Sequence, residues 1–129
     1  MRYPEIDRMG VAHHSHYFVW FELGRTELMR QAGCAYGRLE DDDGLFFPVI
    51  EAGAEFQAPA RYDEEIEIET RLTEAYGVRV RFEYVLRRTG DARVLSKGFT
   101  VHAACGRDGR PTRLPDGVRA RLAGSSEAR

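Results

Sequence analysis

Two rhythms of apolar and polar residues run along this chain. From residue 17 the apolar side chains fall at 17, 18, 20, 21, 28, 29 and 32, and four of them (17, 21, 28 and 32) join Gly24 in one helical stripe. Glu22, Arg25, Thr26, Arg30 and Gln31 lie off that stripe. The spacing predicts a helix over 17–32, with Ser15 as its N-cap and Gly33 as its stop, where a positive φ costs glycine little. Ahead of it, residues 2–6 read as a short edge strand, because Pro4 cannot donate to a ladder. Residues 7–10 read as a turn, with Asp at its first position and Gly at its last.

Beyond a loop at 34–44, which has room for one helical turn, the period becomes two. Residues 46–56 predict an irregular strand, with Pro48 and Gly53 marking a bulge. Residues 57–63 turn around Pro59, and 64–74 then alternate strictly, with Ile66, Ile68, Thr70 and Leu72 on one face. Residues 78–86 do the same, with Val78, Val80, Phe82, Tyr84 and Leu86 inward. If the even positions of both strands face one core, the connecting loop holds an odd number of residues, and Ala75-Tyr76-Gly77 fits. That register sets Arg71 opposite Arg81 and Glu69 opposite Glu83, like-charge pairs that work against it. A turn at Gly90-Asp91, a strand over 94–103 with Phe99 and Val101 on one side, and a turn at Asp108-Gly109 complete the pattern. The last six residues, from Gly124, are expected to be disordered.

One long helix and an antiparallel sheet make a single α+β domain over 1–123, without repeat or linker. One small sheet cannot cover so long a helix, so a second copy is expected alongside. The formal net charge of -2 gives no field to hold nucleic acid or an anionic membrane. No apolar run spans a bilayer, and the first residues lack an export pattern. Cys34 and Cys105 are expected to be reduced, buried thiols in a cytoplasmic protein.

Chemistry concentrates ahead of the helix. His13, His14 and His16 are too closely set for a metal site, and no metal or organic cofactor is expected. Asp7 remains, a carboxylate a few residues before a helix N-terminus. Free N–H groups there can polarise a carbonyl and stabilise an oxyanion. A nearby carboxylate can attack that carbonyl or activate a water. From spacing alone, Asp7 reads first as a turn-former or cap.

The string Tyr3-x-Glu5-x-Asp7-x-x-Gly10-Val11-x-x-His14-x-x-Tyr17-x-x-Trp20-x-Glu22-x-x-Arg25-x-Glu27 resembles the signature of the hotdog-fold acyl-CoA thioesterases. The nearest group is the 4-hydroxybenzoyl-CoA thioesterase branch, with the small bacterial thioesterases associated with the Tol–Pal system. The likeness continues through residues 57–63 (QAPARYD), Phe82-Glu83-Tyr84 and Gly109-x-Pro111. It implies a hotdog, a long helix wrapped by about five antiparallel strands, in a homodimer with a homotetramer as the expected higher assembly. By position, Asp7 matches the catalytic general base or nucleophile, and His14 the residue at the helix start whose N–H faces the thioester oxygen. Gly10 matches the turn glycine, and Val11 and Tyr17 join it as substrate-binding positions. His16 departs from the family's usual Asn. A non-catalytic acyl binder and an acyl-carrier-protein thioesterase are the alternatives. Glu22 is expected to pair with Arg25 or Arg30, and His102 to fill a strand face. Arg61, Arg79, Arg81, Arg87, Arg88 and Lys97 are candidates for CoA phosphates.

Overall fold

The computed structural model describes residues 14–40, 44–61, 63–124 and 127–128. The stripe of apolar positions becomes α1 (His14–Gln31), followed by a short turn of helix, α2 (Tyr36–Arg38). Four strands succeed it: β1 (Val49–Phe56), β2 (Ile66–Tyr76), β3 (Arg79–Arg88) and β4 (Val94–Ala103). A C-terminal helix α3 (Asp116–Gly124) and a two-residue strand β5 (Glu127–Ala128) close the chain. The strands form one antiparallel sheet in the order β1-β4-β3-β2-β5.

Helix α1 begins at His14, three residues earlier than the period predicts, so Ser15 lies inside its first turn rather than at the cap. Gly33 has φ 77, as the expected stop requires. Arg121 of α3 donates to the Gly33 carbonyl at 3.3 Å, so a second helix helps to close the end of the first. The expected strand at 2–6 lies outside the described residues. Two residues of the tail expected to be disordered instead form β5, pairing Thr70 with Ala128 and Arg71 with Glu127 on the edge groups of β2. Helix α3 was not foreseen, although Pro115, Asp116 in the first turn, and Val118 and Leu122 one turn apart are its signals.

The β2–β3 hairpin corrects the predicted register. Tyr76 pairs with Arg79, so the loop is the two residues Gly77-Val78, and Gly77 carries φ 58 at its first position. Such a loop alone would put odd positions opposite even ones. A bulge between Leu72 and Glu74 restores the parity, so Thr70 faces Tyr84 and Leu72 faces Phe82. The same shift brings Arg71 opposite Glu83 and Glu74 opposite Arg81, which removes both like-charge pairs. Val78, expected inward, is exposed at the turn.

The core lies between α1 and the even-numbered face of β2 and β3. Phe21, Leu28 and Met29 from the helix meet Val80, Phe82, Tyr84 and Leu86, all essentially inaccessible to solvent. Phe21 stacks on Tyr84 with ring centroids 4.6 Å apart. On β4 the pattern is inverted: Ser96, Gly98, Thr100 and His102 oppose the apolar face of β3, and Phe99 and Val101 occupy the other side. Val101 is nonetheless fully buried, and Arg81 covers the Phe99 ring at 4.3 Å.

Gly98 makes this possible, because a Cβ there would stand 2.4 Å from the Phe21 ring and 2.8 Å from the Gly53 carbonyl oxygen. Backbone cannot yield as a flexible side chain does. Gly98→Ala is therefore expected to lower unfolding stability by about 1–3 kcal/mol, read as a reduced urea midpoint at unchanged m-value. A variant as stable as the parent would show that Phe21 does not pack there.

Candidate active site

The start of α1 sits on a wall of aromatic and small residues. Tyr17 in its first turn is 2% exposed. Its ring meets Trp20 edge-on at 5.1 Å and Phe56 at 4.9 Å. Its hydroxyl accepts a bond from the Ala60 N–H at 3.2 Å, which ties the helix start to the turn after β1. Burial raises the Tyr17 pKa, with the Ala60 bond opposing and Glu64 adding to the rise. The phenol is therefore held neutral.

His14 is the first residue of α1, so its N–H belongs to the group that has no carbonyl partner within the helix. The partial positive charge of the helix is greatest there. Asp7, Gly10 and Val11 lie outside the described residues. Of the five sequence-predicted site residues, the structure thus brings His14 and Tyr17 together at one helix end. A carbonyl oxygen placed against that end would meet oriented donors and no competing acceptor from the helix itself.

The charged candidates are largely committed elsewhere. Arg79 pairs with Glu74 at 3.1 Å, Arg87 with Glu69, and Arg88 with Glu64 at 3.0 Å and Asp91 at 2.9 Å. Arg81 reaches Glu83 at 3.4 Å while covering Phe99. Arg61 and Lys97 remain exposed. Arg30 pairs with Glu27 rather than Glu22, and Arg25 lies beside the Tyr84 hydroxyl. Among the described residues, no three metal-ligating side chains converge. Cys34 and Cys105 are buried and form no disulfide.

Sequence reasoning missed a polar chain through the core. His102, Thr100 and Tyr84 are each 3% exposed or less. His102 Nδ1 lies 3.0 Å from the Phe47 carbonyl, Nε2 lies 2.8 Å from Thr100 Oγ1, and Thr100 Oγ1 lies 2.6 Å from the Tyr84 hydroxyl. A carbonyl only accepts, so Nδ1 carries the proton and donates to Phe47. Nε2 of the neutral ring then accepts from Thr100, and Thr100 accepts from Tyr84. Burial pushes the His102 pKa down to about 4, against the Phe47 bond and with help from the Arg25 charge. Tyr84 is raised by burial, partly offset by Thr100 and Arg25. The available signal was parity, since 100 and 102 fall in phase with the inward positions of the neighbouring strand.

A model of the thioesterase-like superfamily matches residues 1–122. The acyl-CoA thioesterase YbgC of Haemophilus influenzae is 32% identical over 103 residues, covering 80% of this chain and 74% of that protein. YneP of Bacillus subtilis is 32% identical over 84 residues, covering 65% of this chain and 60% of that protein, so the chain spans under two thirds of that relative. The crystal structure of the hypothetical protein TT1821 from Thermus thermophilus superposes with a TM-score of 0.90 at 40% identity, covering 97% of this chain and 94% of that one. The helix held in an antiparallel sheet is the hotdog arrangement that the N-terminal signature implies.

The buried chain gives the fold a specific response to acid. His102 titrates near 4 when folded and near 6.5 when unfolded, so between these values the unfolded state binds a proton that the native state refuses. Its contribution is whole above pH 6.5 and is lost as the pH falls toward 4, by roughly 3 kcal/mol over that range. Urea midpoints measured from pH 7 to pH 4 are expected to fall more steeply for the parent than for His102→Gln. Parallel curves would place the proton elsewhere. Thr100→Val strands both Tyr84 and His102, and is expected to cost about 1–3 kcal/mol at neutral pH.

Proposed function

The chain belongs to the thioesterase-like superfamily, and from that membership we propose that it hydrolyses acyl-CoA thioesters to a free acid and CoA. The observation that carries the reading is the start of α1 at His14, seven positions after Asp7. The thioester carbonyl rests against the first N–H groups of α1, that of His14 among them. Gly10, Val11 and Tyr17 shape the site around it. Asp7 takes a proton from a water whose oxygen adds to the carbonyl carbon, and the carbonyl electron pair becomes an oxyanion. The oxyanion is stabilised by the helix N–H groups. Its collapse breaks the C–S bond, and the sulfur leaves as the thiol with the proton that Asp7 held. In the nucleophilic variant, the Asp7 carboxylate adds to the carbonyl carbon and expels the CoA thiolate as the C–S bond breaks. Water then hydrolyses the mixed anhydride, releasing the acid and the Asp7 carboxylate and supplying the proton that the thiolate takes up. The reaction needs no metal or organic cofactor. On this reading the protein works in the cytoplasm, where acyl-CoA is made and consumed.

A homodimer belongs to the same reading. Among the described residues β1 is hydrogen-bonded to β4 along one side only, which leaves the N–H and C=O groups of its other edge open to a further strand. Val49 and Ile50 on it are 47% and 58% exposed, and Phe18 and Val19 on α1 are 37% and 42% exposed. Phe18 lies edge-on to Phe21 at 5.6 Å, and Phe21 faces Gly98 of β4, so this helix patch flanks the β1–β4 side. A second copy joined edge to edge would cover both patches and extend the sheet.

Two measurements test this. Asp7→Asn and Asp7→Ala are expected to lower kcat for acyl-CoA hydrolysis by about 10²–10⁴ with the thermal melt unchanged. Full activity across aromatic and aliphatic acyl-CoAs would sink the mechanism, and saturable binding without turnover in the parent would favour a binding protein. Light scattering is expected to give about twice the 14.7 kDa chain mass or a multiple of it, and Ile50→Glu to reduce it to one chain.

A further inference from the structure

Each nitrogen of the Arg88 guanidinium has its own acceptor. Nε donates to Glu64 at 3.0 Å, Nη1 donates to Asp91 at 2.9 Å, and Nη2 reaches the Pro59 carbonyl at 3.5 Å. The Arg88 and Glu64 side chains are 25% and 20% exposed, so solvent ions screen the pair less than a fully solvated one. The planar fork of arginine suits three acceptors in fixed directions, which a lysine ammonium on its flexible stem does not.

Pro59 and Glu64 both lie in the connection between β1 and β2. The Glu64 N–H donates to the Arg61 carbonyl at 3.3 Å, which closes the connection into a turn. Asp63 has φ 67, a left-handed conformation uncommon for a residue with a side chain. Such a backbone persists where its surroundings hold it. On the β1 side the hold comes from Gln57 and Ala58, whose N–H groups donate to the Leu95 carbonyl at 2.9 and 3.2 Å. On the β2 side it comes from Arg88. Asp91, in the loop between β3 and β4, fixes Arg88 in turn and also accepts from the Arg93 N–H at 3.1 Å.

Between these holds lies Ala60, fully buried, whose N–H is the donor to the Tyr17 hydroxyl. Glu64 is near enough to Tyr17 for its charge to act on the phenol. Tyr17 belongs to the first turn of α1, beside the N–H groups that meet the carbonyl in the proposed reaction. A path therefore runs from Arg88 through Pro59 and Glu64 to Ala60 and Tyr17. Every link in it is a hydrogen bond or the backbone of one short connection.

We propose that Arg88 is a positioning residue for the hydrolysis. It clamps the β1–β2 connection at Pro59 and Glu64, so that Ala60 holds Tyr17 and the start of α1 in place against the thioester carbonyl. The assignment rests on the thioesterase reading above. It takes Arg88 out of the cations available to CoA phosphates.

The test measures kcat and KM for one acyl group carried on CoA and on pantetheine, which lacks the nucleotide phosphates. Arg88→Met and Glu64→Ala are each expected to lower kcat by about fivefold to fiftyfold on both carriers, with KM unchanged. Arg88→Lys, the milder change, is expected to fall between Arg88→Met and the parent. In a Tyr17→Phe background, where Ala60 has no hydroxyl to hold, Arg88→Met is expected to change kcat by less than about twofold. Assays run well below the melting temperature of each variant separate these effects from loss of the fold. A KM rise for Arg88→Met on CoA thioesters alone would assign Arg88 to the phosphates and overturn the proposal. An unchanged kcat, or an equal loss in the Tyr17→Phe background, overturns it as well. All three outcomes leave the hydrolase reading standing, whereas no turnover of any acyl-CoA by the parent overturns both.

Discussion

At Gly24 and Gly98 the helix and the sheet approach more closely than any side chain larger than a hydrogen allows. A Cβ on Gly24 would lie 2.3 Å from Thr70 Oγ1 and 2.8 Å from Ile68 Cγ2, while Gly98 admits the Phe21 ring. The two contacts fix α1 in depth, one over β2 and the other over β4. The helix is an 18-residue rod, so fixing it at these points also fixes where its first turn lies. The candidate chemistry at His14 and Tyr17 therefore depends on packing a full turn or more away.

That close approach also explains why β4 turns a polar face inward. With Phe21 over Gly98, the neighbouring inward positions are roofed by aromatic rings and have no access to water. Thr100 and His102 can occupy them because they satisfy one another, Tyr84 and the Phe47 carbonyl in one directed chain. An apolar replacement would pack as well. The polar chain instead links β3, β4 and the segment before β1 through bonds with a defined direction, and Arg25 extends it to the helix. A half-satisfied version would be worse than either.

Much of this was legible in the sequence, and the failures share a cause. The 3.6-residue stripe gave the buried face of α1, and strict alternation gave the inward faces of β2 and β3. The hairpin register was misread because parity is conserved by two different arrangements: a three-residue loop, or a two-residue loop with a bulge. Sequence periodicity cannot separate them, but the like-charge pairs at Arg71–Arg81 and Glu69–Glu83 already weighed against the first. On β4, Phe99 and Val101 advertise an apolar face, and nothing local reveals that Gly98 is needed beneath Phe21, some eighty residues earlier in the chain. Helix α3 had ordinary start and stop signals that the run of strands obscured. At the candidate site, the resemblance supplied roles for Asp7, Gly10 and Val11, whereas spacing supplied only a carboxylate near a helix.

The two flanks of α1 are not equivalent in what they leave exposed. Phe18 faces the β1–β4 side, beside an open strand edge. Leu23 faces the start of β2, over a groove with an orphan hydroxyl. The β1 side has the features of a joint between chains: backbone groups in register and exposed aliphatics. The β2 side has a bounded volume, a mixed lining and a polar atom without a partner. The physical difference between the flanks lies in what each leaves open: aliphatic side chains along β1 on one side, and on the other the Leu23 side chain beside the start of β2.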